Sequence, residues 1–158
     1  MKTIVRTSIY PAIVAMFLTV ALASPVAAKE PVPFHGSLQG VETEDIQGTT
    51  ALIDGSGTGI ATHLGRFTVT WEAMVNLVSA SGIGSFHYIA ANGDSIFAED
   101  VGQAEQTGTP GVVHVVEINT ITGGTGRFVG ATGSFIVERL IDLTTGVSFG
   151  SFSGTIVQ

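Results

Sequence analysis

Hydrophobic and polar residues alternate with a period of two along much of this chain, and no helical period appears. The clearest run is residues 61–77. Its odd positions read Ala61, His63, Gly65, Phe67, Val69, Trp71, Ala73, Val75 and Leu77. Its even positions read Thr62, Leu64, Arg66, Thr68, Thr70, Glu72, Met74 and Asn76. One apolar face and one polar face at period two define a half-buried strand. The run is longer than an ordinary strand, which predicts a bend or bulge near Gly65.

The same pattern, punctuated by turn residues, divides the rest. Residues 34–41 predict a first strand, followed by an acidic loop at 42–47. Residues 51–54 form a short apolar piece, and 55–59 a flexible glycine stretch. Strands at 83–91 and 94–103 flank Asn92-Gly93, a pair that favours a two-residue hairpin turn. A loop at 106–111 carries Pro110. Residues 112–121, 127–141 and 147–157 predict the last three strands, with turns at 123–126 and 142–146. Roughly eight strands with short connections predict an all-β fold, an eight-stranded antiparallel up-and-down barrel that removes its own edges by closing. Such an interior holds side chains or one small ligand.

The turn before residue 127 is Gly123-Gly124-Thr125-Gly126, and Gly130 and Gly133 interrupt the strand predicted after it. The first three glycines supply positive φ angles. The latter two mark bends or a close approach of another backbone. A dinucleotide fingerprint would need a helix after the glycines; here a strand pattern follows.

Composition changes the picture in three ways. Residues 1–28 have the form of a secretory signal peptide: Lys2 and Arg6, an apolar run over 9–23, and Val26-Ala27-Ala28 as a small-residue cleavage site. Cleavage after Ala28 predicts a secreted or periplasmic protein of one domain, residues 29–158, with no membrane anchor afterwards. Losing Lys2 and Arg6 takes the formal charge from −7 to −9, which argues against nucleic acid and anionic membranes as partners. The absence of cysteine leaves stability to core burial and β hydrogen bonds.

The turn Gly123-Gly124-Thr125-Gly126-Arg127-Phe128 with Gly130-Ala131 resembles the glycine hairpin of plant dirigent proteins and allene oxide cyclases. Residues 59–68 with Asn92-Gly93-Asp94 resemble exported bacterial proteins with the same barrel. The resemblance implies a calycin-like eight-stranded barrel, commonly a homotrimer. It carries over no catalytic residue, and the cysteine used near the site in allene oxide cyclases is absent.

Candidate chemistry is sparse. Parity puts His63 on the apolar face with Phe67, Val69 and Trp71, so these four are the expected barrel-interior, ligand-binding residues. His63 is there either a general acid or base, a polar anchor for a ligand, or a histidine hydrogen-bonded within the core. At ~3.3 Å per residue, His63 and Trp71 lie roughly 26 Å apart, near opposite barrel ends. His35, His87 and His114 sit on separate strands without metal-ligand spacing, so no metal and no cofactor is expected. Glu99 and Asp100 must face opposite sides; one of them, Glu117 or Glu138 is a candidate inward acid. Glu42-Thr43-Glu44-Asp45 lacks the spacing of a calcium loop, and Ser56 and Ser151 lack the nucleophile elbow. Apolar residues on both faces of 112–121 and 135–140 predict that part of the outer wall is covered, by self-association or by a terminal segment. The expected function is an exported barrel that binds a small lipophilic ligand or serves structurally in the cell envelope. The rival is a dirigent-like or cyclase-type enzyme that holds a reactive lipophilic substrate in one conformation.

Overall fold

A computed structural model describes residues 29–158; the expected signal segment and its cleavage site lie outside the described residues. Eight strands follow in chain order: β1 (Val32–Gln47), β2 (Thr50–Ala61), β3 (Gly65–Asn76), β4 (Ser81–Ala90), β5 (Ser95–Gln106), β6 (Val112–Gly124), β7 (Thr132–Asp142) and β8 (Val147–Val157). Each is antiparallel to its neighbour, and β8 returns to β1, so the sheet is a closed eight-stranded barrel. The expected fold class is the observed one. Closure gives every ladder a partner and leaves no free edge.

The barrel has two distinct ends. One, the terminal end, carries both ends of the barrel chain and the turns after β2, β4 and β6. The far end carries the turns after β1, β3, β5 and β7.

Several local expectations change. Asn92-Gly93 is not a two-residue turn: residues 91–94 connect β4 to β5. Gly123 and Gly124 end β6 instead of opening the turn. Residues 42–47 continue β1 instead of forming a loop, because β2 pairs with them out to Gln47↔Thr50. The glycine stretch 55–59 is strand rather than flexible chain. Its glycines make room for large inward side chains: a Cβ at Gly55 would fall within the Trp71 ring, and one at Gly59 within the Phe67 ring. The alternating run 61–77 is two elements, with a turn at 62–64 between β2 and β3. Residues 127–131 are not strand: a short 3-10 turn, Gly126–Phe128, drops the fully buried Phe128 into the terminal end. Gly133, in β7, does sit where another backbone passes close, against the carbonyl of Thr155.

The interior of the terminal half is aromatic. Phe34, Phe135 and Phe152 pack at ring-centroid distances of 5.1–5.3 Å. Phe67 and Tyr88 join them at 5.5 Å from each other. Stacked contacts then run from Tyr88 to Phe86 (5.7 Å) and from Phe86 to Trp71 (5.9 Å). Each such ring buries a large apolar area, and edge or offset geometry adds to it.

Candidate functional site

Beyond Trp71 the interior changes character. Arg139, on the inward face of β7 between Val137 and Ile141, is only 4% exposed. Its Nε and Nη2 donate to both carboxylate oxygens of Glu117 on β6, at 3.1 and 2.6 Å. Its Nη1 donates to Glu42 Oε2 on β1 at 2.9 Å. The same Glu42 oxygen accepts from Trp71 Nε1 at 3.1 Å. The guanidinium also lies 5.0 Å from the centre of the Trp71 ring, a cation–π contact. A planar fork between two carboxylates and an aromatic face is an arrangement for which arginine is suited and lysine is not.

This cluster carries more acid than base. Asp100 (β5) and Asn119 (β6) are ladder partners on the inner wall beside it. Burial, reinforced by the neighbouring Glu117 charge, pushes the Asp100 carboxyl up to about 7. Burial likewise raises Glu117, against the pull of Arg139. Burial opposes the charge on Arg139, but Glu117 and Glu42 on either side outweigh it and hold the guanidinium ionised. Burial and Glu117 raise the Tyr88 phenol as well, so it stays neutral. Tyr88 Oη, Asn119 Oδ1 and Asp100 Oδ1 are buried with no hydrogen-bond partner among the described residues. Chemically, the cluster can hold a proton on Asp100 near neutral pH and offer one hydroxyl and two acceptor oxygens.

Of the four residues expected to line the interior, three are inside. Phe67, Val69 and Trp71 are buried on the inner face of β3. His63 is not: it is exposed in the turn between β2 and β3, with φ at 65°. Period two holds only while the backbone is extended, and the chain leaves the strand at residue 62. Outside the barrel, His63 joins the start of β1 to the residue that follows β8. Its Nε2 meets the Pro33 carbonyl at 3.1 Å, and Gln158 Nε2 donates to its Nδ1 at 3.0 Å. Arg127 binds the same corner, with Nη2 donating to the His63 carbonyl at 2.8 Å and Nη1 lying 3.5 Å from Asp94 Oδ2.

Among the candidate acids, Asp100 and Glu117 point inward, while Glu99 and Glu138 point outward. Glu42, read as part of a solvated acidic loop, and Arg139, not singled out at all, prove central. Both had a signal. Arg139 shares its parity with Phe135, Val137 and Ile141, and Glu42 shares its parity with Phe34, Gly36, Leu38 and Gly40.

The fold and this cluster define an eight-stranded antiparallel barrel with an aromatic interior and a buried ionic layer. In comparisons with known proteins, no family model, no curated protein and no solved structure matches the chain.

Proposed function

We propose that the protein is an exported, non-enzymatic barrel with a filled interior that serves the cell envelope or exterior as a rigid structural module, or binds partners on its outer wall. One observation carries this reading: the continuous run of inward rings from Phe34 to Trp71, which occupies the space a lipophilic ligand would need. Native mass spectrometry of the protein purified from its own host tests it. The expected spectrum is that of bare polypeptide. Excess mass that leaves on denaturation would establish an interior ligand and overturn the reading. The oligomer mass from the same spectrum tests the homotrimer that the resemblance to dirigent proteins and allene oxide cyclases suggests.

A second reading, a dirigent-like or cyclase-type enzyme, has its own support in Asp100. It is a carboxyl pushed up to about 7 beside a neutral buried phenol, which suits proton transfer at neutral pH. Under this reading, Asp100→Asn abolishes turnover of a lipophilic substrate while the barrel stays folded. An Asp100→Asn protein with undiminished turnover would end it.

A further inference from the structure

The outer wall carries a feature that the interior does not explain. Leu52, Met74, Ile83, Val101 and Ile118 are successive ladder partners across β2, β3, β4, β5 and β6. They form an apolar ridge running across the strands, which Ile136 on β7 continues, and Met74, Ile83, Val101 and Ile118 are each more than half exposed (53–61%). The ridge lines a groove of about 840 Å³. Its two borders differ. Toward the terminal end the next outward row is acidic: Asp54, Glu72 and Glu99, with Ser85 between the last two, again as ladder partners. Toward the far end the next row is uncharged: Thr50, Asn76, Ser81 and Gln103.

This is not the outer surface of a membrane barrel, which needs an apolar band ~25 Å tall. Here the apolar zone is one residue tall from β2 to β5, where polar rows border it, and two residues tall only at Val116 and Ile118 on β6. Nor does the closed sheet offer an edge for strand addition. What docks must lie on the side chains.

Charge decides between a second copy and a different partner. The basic residues of the described chain are Lys29, Arg66, Arg127 and Arg139. Lys29 precedes the barrel, Arg66 and Arg127 lie at its terminal end, and Arg139 is inside. None borders the groove, and Asp54, Glu72 and Glu99 have no ion-pair partner among the described residues. Two copies joined ridge to ridge about a two-fold axis would set the acidic row against the uncharged row or against itself. Neither arrangement supplies a counter-charge, and uncompensated acids in an interface disfavour association.

We infer that this groove docks a cationic amphipathic segment of another protein, with its apolar face on the Met74–Ile83–Val101 ridge and its basic border against Asp54, Glu72 and Glu99. The ridge from β2 to β6 crosses four strand spacings, roughly 19 Å, which matches about 13 residues of helix. The inference rests on the reading that a filled interior leaves function to the outer wall.

The test uses a fluorescent helical peptide of about 14 residues, one stripe leucine and the adjoining border lysine, titrated with the full exported protein in low salt. Saturable binding is expected. Glu72→Gln with Glu99→Gln should weaken it about tenfold, while Glu30→Gln with Glu105→Gln, one before β1 and one at the far end of β5, should leave it within about twofold. Ile83→Ser should weaken the binding that persists at about 0.3 M salt, where charge is screened. Equal weakening by the two charge pairs, equal binding of a leucine/glutamate peptide of the same pattern, or no binding at all would overturn the inference. So would sedimentation showing an oligomer that the Ile83→Ser change dissolves, since the ridge would then belong to a second copy. An interior ligand found by native mass spectrometry would instead remove the reading beneath it and leave the peptide result standing.

Discussion

The two halves of this barrel's interior solve the same problem in opposite ways. The terminal half is filled by phenylalanines whose rings meet at tilted and edge-to-face angles, and among the described residues it has no buried charge. The far half holds an arginine clamped by two carboxylates, with a third acid nearby. An aromatic core gains from every ring it buries, and its loss is graded with the volume removed. A buried ion cluster gains little over an apolar replacement of the same shape, yet losing one member strands the others without compensation. One half therefore supplies stability, and the other specifies which side chains face one another. The Arg139–Glu42 contact joins residues 97 apart in sequence and spans β7 to β1 across β8, so it marks correct closure of the barrel.

The sharpest way to break this contrast is to cut one member from each half. Arg139→Met leaves Glu42 and Glu117 buried without a counter-charge and should cost about 3–5 kcal/mol by denaturant unfolding. Phe152→Ala should cost about as much, through the cavity it leaves among Phe34, Phe67 and Phe135. The halves part company in rescue. Glu42→Leu and Glu117→Leu added to Arg139→Met should restore most of the loss, because an ion cluster can be exchanged for apolar bulk. If the triple variant is no more stable than Arg139→Met alone, stranded charge is not what makes the far half sensitive.

Smaller in size, but specific to the far half, is the effect of pH. The Asp100 carboxyl is pushed from 3.8 to about 7 by folding. The native state therefore holds a proton that the unfolded chain has already released. Stability from this group is complete below pH 4 and falls as pH rises toward 7. Full expression of that displacement would be worth roughly 4 kcal/mol, and access of water at the group's exposed side reduces it to about 2 kcal/mol. Glu117, also raised, acts in the same direction. Melting temperature should drop by several degrees between pH 5 and pH 8 (~4 °C per kcal/mol). Asp100→Asn should flatten that slope and stabilise the protein at pH 8. A variant with the wild-type slope would locate the titration elsewhere.

The barrel was legible because period two and turn residues act locally. Asn92-Gly93 and the alternation over β3 needed no partner to be recognised. The ionic layer was not, because its members are polar residues whose meaning depends on distant strands. Glu42 reads as solvated until β2 and β8 flank it. Arg139 reads as an ordinary surface charge unless its parity with Val137 and Ile141 is followed. Glycines misled in the opposite direction. Gly55 and Gly59 suggest flexible chain, whereas they are inner-wall positions where any larger residue would collide with Trp71 or Phe67. Parity fails at His63 because the strand ends at Ala61 and the turn over 62–64 leaves no mark in the alternation.

The turn position of His63 yields the smallest of the predicted effects. Outside the barrel, His63 holds a carbonyl of the first strand and the side chain of the last residue, while Arg127 caps its own carbonyl. These are exposed contacts, so His63→Ala should cost no more than about 1 kcal/mol. The positive φ at this position adds a reason for a small cost, since alanine tolerates it no better than histidine. His63→Gly should therefore recover part of the loss by relieving the backbone while restoring no hydrogen bond. Hydrogen exchange locates the effect: protection should fall at the Val32 and Val157 ends of β1 and β8 and stay unchanged at Phe86 and Val137 in the middle of the barrel. Loss of protection throughout the barrel would mean that His63 contributes to the core after all, and that the two chain ends are held by something other than this corner.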